Sequence, residues 1–416
     1  MEHTPEEEER IKAIQRYLEG EREADIYRSV ERSKGWFNKW LGRYKTGRKE
    51  WYKDLPKRAR VIPHKTSERF EQIVVNIKKA LMEGTDDSTK YSRVGTEAIQ
   101  FHMEELSYKS SAIPSISTIK RIIKRNKLKV NKRERYKRIH SKGRYTFLNP
   151  KHIDELHQVD YVGPRHIKGY GPINSIHLKD VVGRQIAGQQ YNEKSMDNVM
   201  DFLMGYWKQC PIPKYLQVDN GMCFAGDYKH PKSFSRFVRL ALYVGIEVVF
   251  IAPSRPWMNG TIEEFNKGFD KRFWQKELFT DLNDIRKKSV IFFEKENKFS
   301  AWKLRNDNLK VVDPKRIRML PEDFTIAVDH LPLVTGKIHF IRGVDSRGKI
   351  SVLNEYFNVG KEYTDKYVWT TIETMNQTLM VYYKDENLVA KEIKRFGYEI
   401  GETVHNRKDS IFGSGL

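Results

Sequence analysis

The segment from Phe250 to Lys271 constrains the fold most strongly. It leaves an apolar run that is typical of a buried strand, turns at two prolines and an Asn-Gly pair, and then enters a helical pattern. Glu263 stands where that pattern begins, so its carboxylate is expected at a helix N-terminus, where the helix dipole favours the charged form. A strand, a loop and a helix in direct succession are typical of an α/β domain with a mixed sheet.

Two further acids stand at the ends of strand-like runs upstream. Asp160 emerges from Leu-His-Gln-Val, and Asp219 ends Leu-Gln-Val and precedes an Asn-Gly turn. Carboxylates at two strand ends and one helix start can converge on hard divalent cations, which prefer oxygen ligands. We therefore predict that Asp160, Asp219 and Glu263 form a metal site. A further acid, Asp180, is explained by a hairpin turn.

These three segments resemble the catalytic core of retroviral integrases and of the DDE transposases of bacterial insertion sequences. The matching residues are Asp160 in Q-V-D-Y-V-G, Asp219 in Q-V-D-N-G, and Glu263 in P-W-M-N-G-T-I-E-E-F-N-K. The resemblance covers residues 151–305 and implies a ribonuclease-H-like α/β core. The third segment is the most specific, because its Pro, Asn, Gly, Glu and Phe-Asn positions all fall where the family's pattern has them.

The sequence departs from that pattern in three respects near the third acid. The 43 residues between Asp219 and Glu263 (positions 220 to 262) exceed the commonest interval, and we assign the excess to the loop Gly226–Ser233. Glu264 stands where a small polar residue is more usual, which leaves it as an alternative third acid. The position of Asp270 is often basic in the family.

The resemblance also implies a mechanism. Two Mg²⁺ or Mn²⁺ ions per active site would be held with Asp160 as the bridge, Asp219 completing one site and Glu263 the other. Water would first attack a phosphodiester at the end of a mobile element, and the freed 3′-hydroxyl would then attack target DNA in line. Lys267 and Lys271 lie on or near the helix that follows Glu263 and are candidates for contacts with DNA.

The charge of the chain favours a polyanionic partner. The 416 residues carry 76 Lys+Arg against 55 Asp+Glu, a net charge of +21, and residues 1–150 alone hold 36 basic and 21 acidic residues. Nucleic acid is the commonest partner of such a surface. Two cysteines, Cys210 and Cys223, exclude a cysteine-pair zinc module. Because no apolar run approaches the length of a membrane span, we expect no membrane contact and a cytoplasmic, nucleoid-associated protein.

Two helical units precede the core, and each has the pattern of a helix-turn-helix domain. In the first, residues 1–50, the third helix carries Asn38, Lys39 and Arg43. In the second, residues 65–130, isoleucines at helical spacing point one way and a basic set points the other, which predicts a recognition helix in the major groove. This basic set is Lys120, Arg121, Lys124 and Arg125. The alternatives are an ordinary small helical bundle and a solvated basic face.

A basic arm and a C-terminal β module complete the predicted architecture. Residues 131–150 form the arm, in which Arg133 and Arg135 are expected on the phosphate backbone. Residues 330–400 alternate strand-like runs with turns and predict a small β-barrel. The predicted fold class is therefore multidomain: all-α helix-turn-helix units, an α/β core and a C-terminal barrel.

The function implied by the resemblance is that of a transposase. It would bind the terminal repeats of an element, cleave at the 3′ ends and join them to target DNA, acting as a homo-oligomer on paired double-stranded ends. An accessory ATPase is left open. Two alternatives remain from the residues alone: a catalytically silent DNA-binding protein, against which the three intact acids argue, and a nuclease that hydrolyses without joining, which the two end-binding units disfavour.

Overall fold

The computed structural model describes residues 3–55, 66–129, 148–226, 231–305, 307, 309–313, 315, 317–385 and 389–407. The chain divides into two compact units, Met1–Thr66 and Ser67–Leu416. Within the described ranges, every helix is too short or too polar to cross a membrane.

The first unit is a bundle of three helices. They are α1 (Pro5–Leu18), α2 (Glu23–Ser29) and α3 (Lys34–Lys45). Ser33 accepts a hydrogen bond from Trp36 N and so caps α3 as its sequence predicts. Four residues separate α2 from α3, which is the spacing of a helix-turn-helix. Phe37 and Trp40 fill the centre of this small core.

Three further helices open the second unit. They are α4 (Glu68–Glu83), α5 (Thr96–Glu105) and α6 (Ile116–Arg125). The α4 helix ends at Gly84, whose φ of 64° is readily adopted by glycine. The predicted isoleucine stripe of α6 is buried, which turns its basic residues outward. Between α5 and α6 the chain takes ten residues, longer than the turn of a compact helix-turn-helix.

The central part of the second unit alternates strands and helices. Its strands are β1 (Leu156–Ile167), β2 (Gly171–Asp180), β3 (Ile186–Tyr191), β4 (Tyr215–Val218) and β5 (Glu247–Phe250). Its helices are α7 (Met196–Gln209), α8 (Met222–Ala225), α9 (Arg236–Tyr243), α10 (Gly260–Phe269) and α11 (Leu282–Leu304). A wider helical turn, Asp270–Trp274, directly continues α10.

The strand order in this region is β3-β2-β1-β4-β5. The first three strands pair antiparallel, whereas β4 and β5 run parallel to β1. Three antiparallel strands followed by alternating helices and parallel strands is the arrangement that a ribonuclease-H-like core requires. The predicted mixed-sheet α/β core is confirmed.

The described C-terminal residues form eight strands, four of which extend the same sheet. They are β6 (Leu333–Val334), β7 (Lys337–Gly343), β8 (Lys349–Val352), β9 (Glu355–Asn358), β10 (Tyr367–Glu373), β11 (Thr378–Lys384), β12 (Ala390–Gly397) and β13 (Val404–His405). Strand β7 pairs parallel with β5, and β10, β11 and β12 follow it outward, which makes a nine-stranded sheet. The strands β8 and β9 form a separate hairpin.

This continuity departs from the predicted separate β-barrel of residues 330–400, which is not confirmed. The rings of Phe250 in β5 and Phe340 in β7 stack at a centroid distance of 5.1 Å, and both belong to the large buried cluster of the α/β core. A module with its own core would not share side chains in this way.

Candidate active site

The sheet register brings Asp160 and Asp219 side by side. Strands β1 and β4 are parallel, with Gln158 opposite Gln217, so two more positions along each strand place the two aspartates at the same level. Because alternate residues of a strand face the same side, Gln158 and Asp160 share the face covered by α10. His157 points to the opposite face, where its ring lies 6.0 Å from that of Tyr206.

Three buried amide side chains fix the helix that carries Glu263. Gln158 accepts a hydrogen bond from Ile262 N at 3.0 Å, which satisfies one of the free N–H groups at the start of α10. Asn259 donates to Val159 O at 3.3 Å, and Gln217 donates to Asn259 Oδ1 at 3.3 Å. The start of the helix is therefore tied to both strands that present the aspartates.

The site concentrates negative charge. Burial, together with the carboxylates of Asp219 and Glu263, raises the pKa of Asp160 to about 6, against the opposing effects of the Tyr161 N–H and of Lys194. Glu263 therefore acts on Asp160 from the first turn of α10. A buried carboxylate with two further carboxylates near it is a suitable donor set for divalent cations.

Asp160 is held by two hydrogen bonds. Tyr161 N donates to Oδ1 at 2.9 Å and Asn266 Nδ2 donates to Oδ2 at 2.7 Å. Asn266 Oδ1 lies 2.7 Å from His177 Nδ1. Since the amide oxygen can only accept, His177 carries its proton on Nδ1. Burial lowers the pKa of His177 to about 4, which keeps the ring neutral.

A glycine in strand β3 leaves the space that this imidazole occupies. Gly188 lies opposite His177, and a Cβ there would stand 2.6 Å from His177 Cδ2 and 2.6 Å from Phe293 Cζ. A larger residue would displace the ring that orients Asn266. The sequence motif contained Asn266, but its partner on β2 was not predicted.

Asp219 is supported from a part of the chain that sequence analysis did not connect with the site. Gly221 N donates to its Oδ1 at 2.8 Å. The next residue, Asn220, donates to Ile251 O at 2.6 Å and accepts from Arg342 Nη2 at 2.9 Å. Arg342 belongs to β7 and also donates to Ile251 O at 3.2 Å. The C-terminal strands therefore brace the two loops that follow β4 and β5.

Neighbouring residues of α10 face different surroundings. Lys267 Nζ lies 3.5 Å from Glu263 Oε2 and its side chain is exposed, as is Lys271 in the turn beyond. Glu264, the alternative third acid, lines a separate cavity together with Arg93 and Lys179. Asp270 is paired with Arg165 at 2.6 Å. The arrangement favours Glu263 over Glu264 as the partner of the two aspartates.

A second group of metal-ligand type lies on the other face of β1. Of the described His, Cys, Asp and Glu side chains, only Asp154, His157 and Asp180 form a set of three whose ligand atoms all lie within 4.8 Å of one another. His157 Nε2 lies 3.1 Å from Asp154 Oδ1, while Asp180 accepts from Asp154 N and Val182 N, both at 3.0 Å. The ligand atoms of Asp160, Asp219 and Glu263 do not all lie within 4.8 Å of one another.

The predicted DNA-contacting side chains are mostly on the surface of their own units. Asn38 and Lys39 are exposed on α3, whereas Arg43 donates to Lys53 O at 3.1 Å. All four basic residues of α6 are exposed, although Arg125 is paired with Glu71. The predicted Arg133 and Arg135, with most of the arm 131–150, lie outside the described residues.

Comparison with solved structures returns retroviral integrases. The catalytic core domain of BIV integrase is similar at 18% identity over 34% of this chain and 81% of that one, with a TM-score of 0.26. A chain of the simian T-cell lymphotropic virus intasome in complex with PP2A regulatory subunit B56 gamma is similar at 11% identity, over 73% of this chain and 99% of that one, with a TM-score of 0.31. The HTLV-2 integrase catalytic core domain in complex with magnesium is similar at 13% identity, over 33% of this chain and 85% of that one, with a TM-score of 0.26.

All three TM-scores lie below 0.5, so this likeness places no individual residue and establishes no reaction. No protein-family model matches the sequence. A search of curated proteins gives no match either. The chain's own topology and the geometry around Asp160 are therefore the features that bear on its function.

Proposed function

We propose that this protein is a DDE-type DNA transposase or integrase, which cleaves at the 3′ ends of a mobile DNA element and joins them to target DNA. The observation that carries the proposal is the convergence of Asp160, Asp219 and Glu263 at one edge of a mixed sheet. Each acid comes from a different segment, and all three segments match the pattern noted in the sequence.

The donor set fits a pair of Mg²⁺ or Mn²⁺ ions. It consists of carboxylate oxygens alone, and burial together with the charges of Asp219 and Glu263 raises the pKa of Asp160 to about 6, a cost that bound cations would relieve. Asp160, Asp219 and Glu263 would hold these ions. Such ions supply activation of the attacking oxygen and stabilisation of the leaving oxygen.

The chain's own residues orient this set. Asn266 holds Asp160 through Oδ2 and leaves the other carboxylate oxygen to Tyr161 N. Gln158 holds the first turn of α10, which keeps Glu263 at the helix N-terminus. Lys267, beside Glu263, is placed to contact a DNA phosphate near the scissile bond.

The helical units supply recognition of double-stranded DNA in this proposal. The exposed face of α6, with Lys120, Arg121 and Lys124, enters the major groove of the element's end, and α3 of the first unit contacts a second part of it. Joining two ends requires at least two active sites, so the protein acts as a homo-oligomer on paired ends.

The test is a strand-transfer assay with purified full-length protein and a duplex ending in the terminal repeat that flanks its own gene. Wild type, Asp219→Asn and Glu263→Gln are compared in Mg²⁺ and in Mn²⁺, and DNA binding is measured in parallel. Wild type is expected to give joined products, and both variants are expected to bind DNA without cutting it.

Each alternative result has a definite meaning. Joining by Glu263→Gln, together with its loss in Glu264→Gln, would transfer the third-acid role to Glu264. Cleavage without joining would indicate a nuclease. DNA binding without cleavage in every form, wild type included, would contradict the proposed enzyme and favour a silent DNA-binding protein.

A further inference from the structure

A cavity of about 380 Å³ lies behind the helix that carries Glu263. Its walls come from the segment before α5, from β2, from α10 and from α11, all within the second unit. Glu264 and Gly268 of α10 line it, and the Glu263 side of that helix faces away towards Asp160. The cavity is therefore distinct from the site described above.

Its lining is strongly cationic. Against the carboxylates of Glu264 and Glu296 stand five basic side chains: Arg93, Lys179, Arg184, Arg272 and Lys303. The hydroxyl-bearing residues Thr261 and Ser300 complete the polar part of the wall. An excess of donors and positive charge in one concave site is suited to an anionic ligand with several oxygens.

Most of these cations already have protein partners. Glu296 is bound by Arg93 at 2.8 Å and also by Arg272, while Lys303 is bound to Glu97 at 2.8 Å. Arg184 lies 3.3 Å from Asp307. These pairs hold the guanidinium and ammonium groups in place around the cavity, so the binding surface is formed before any ligand arrives.

Lys179 is different. Its ammonium group donates to Thr261 O at 3.3 Å, and none of the described carboxylates lies within 4.0 Å of it. Burial and the nearby guanidinium of Arg93 together lower its pKa to about 8, against the opposing charges of Glu264 and Glu296. At neutral pH it still carries its charge in a partly buried position, where it forms no ion pair with any described carboxylate, and a bound anion would stabilise it.

We propose that this cavity binds the phosphate group of a nucleotide, with Lys179 as its central ligand. A tetrahedral phosphate presents oxygens to both the ammonium and the surrounding guanidinium groups. The volume exceeds that of a single phosphate and leaves room for the attached sugar. The phosphate could belong to a free nucleotide or to a nucleotide within a DNA strand, and the experiment separates the two sources.

The test measures binding to full-length protein in EDTA at constant ionic strength, so that it does not depend on catalysis or on the metal site. The probes are inorganic phosphate, dAMP and a short single-stranded oligo(dT), each titrated by calorimetry. Lys179→Met keeps most of the aliphatic stem and removes the charge, and it is expected to weaken binding of dAMP roughly tenfold or more. Lys298→Met is the matched control, because Lys298 lies on α11 outside the cavity, paired with Glu105.

A second variant tests whether negative charge in the cavity wall opposes binding of the phosphate. Glu264→Gln removes a carboxylate from the cavity wall, and it is expected to strengthen binding of dAMP while Lys179→Met weakens it. Tighter binding of oligo(dT) than of dAMP, lost in Lys179→Met, assigns the site to a DNA strand. Equal binding of the two assigns it to a free nucleotide. Wild type that binds none of the probes, or a folded Lys179→Met with unchanged affinity for dAMP, would overturn the proposal.

Discussion

Asn266 donates a hydrogen bond to Asp160 across 2.7 Å, and the same amide is held from behind by the neutral imidazole of His177. The hydrogen bond between Asn266 and Asp160 connects α10, which carries Glu263, with the centre of β1. Because Asn266 stands three residues after Glu263, one turn of helix both supplies an acid and orients another. The distance between Asp160 and the third acid is therefore coupled to the position of this helix.

Replacement of Asn266 by alanine should reduce joining without preventing DNA binding. Groups that orient metal-binding carboxylates typically contribute 10- to 100-fold to activity, so we expect a decrease of roughly that size in the rate of strand transfer. The control is Asn376→Ala, since Asn376 is an exposed residue in the turn between β10 and β11 that donates a hydrogen bond to Glu373. A rate equal to that of wild type would show that Asp160 needs no such support.

Substitution of Arg342 by methionine should damage both stability and activity. Arg342 is 8% exposed and bonds to Asn220 and Ile251 O, the residues that follow β4 and β5. Loss of buried hydrogen bonds from a charged group should lower the free energy of unfolding by about 2 kcal/mol. Urea unfolding measures this, and Arg395→Met provides an exposed control on β12.

Arg342→Lys separates charge from geometry. Lysine keeps the positive charge but cannot donate to both loops in the planar arrangement of a guanidinium. We expect it to recover part of the stability and little of the strand-transfer rate. Full recovery of the rate would mean that charge alone is required near Asn220.

Metal binding should distinguish the two candidate metal sites. If the ions bind to the predicted acids, Mn²⁺ should raise the thermal midpoint of wild type, because it relieves the repulsion among three carboxylates, and Asp160→Asn should remove that increase. The comparison variant is Asp154→Asn, which alters the group formed with His157 and Asp180. The increase in midpoint is compared, so that a change in intrinsic stability does not affect the result.

The opposite pattern would move the metal to the other face of β1. An increase retained by Asp160→Asn and lost in Asp154→Asn would assign the ion to the Asp154 group. In that case the predicted acids would not be the principal metal ligands of the isolated protein.

Glu296 should make stability depend on pH. Burial alone would raise the pKa of this carboxyl, but the guanidinium groups of Arg272 and Arg93 overcome that effect and hold it below the usual value. Its stabilising contribution is therefore present above the unfolded pKa of about 4.3 and is lost as the pH falls through the lower folded value. Glu296→Gln leaves two guanidinium groups without their carboxylate and should cost about 3 kcal/mol at neutral pH.

Urea unfolding at neutral and at acidic pH checks this prediction. The difference between wild type and Glu296→Gln should shrink as the pH is lowered. Glu294→Gln, an exposed position on the same helix, should leave the free energy of unfolding unchanged at both values. A difference between wild type and Glu296→Gln that is independent of pH would exclude the ion pair as its cause.

Much of the local structure could be predicted from the sequence, because it depends on short-range periodicity and on capping. The isoleucine pattern of α6, the end of α4 at Gly84 and the strands that precede Asp160 and Asp219 all follow from neighbouring residues. The separate C-terminal barrel was not confirmed, since a strand's pattern of apolar residues does not reveal which strand will pair with its edge. The parallel pairing of β7 with β5 depends on side chains far apart in the chain.

The sequence by itself determined the mixed α/β core and nominated the three acids, because strand ends, turn residues and helix starts are local signals. Only the tertiary structure decided what surrounds them. It placed His177 behind Asn266 and brought Arg342 from the C-terminal strands to Asn220. It also placed Glu264 in the wall of a cationic cavity. These contacts join segments separated by tens to more than a hundred residues, and their selection depends on burial and packing of the whole sheet rather than on any local pattern.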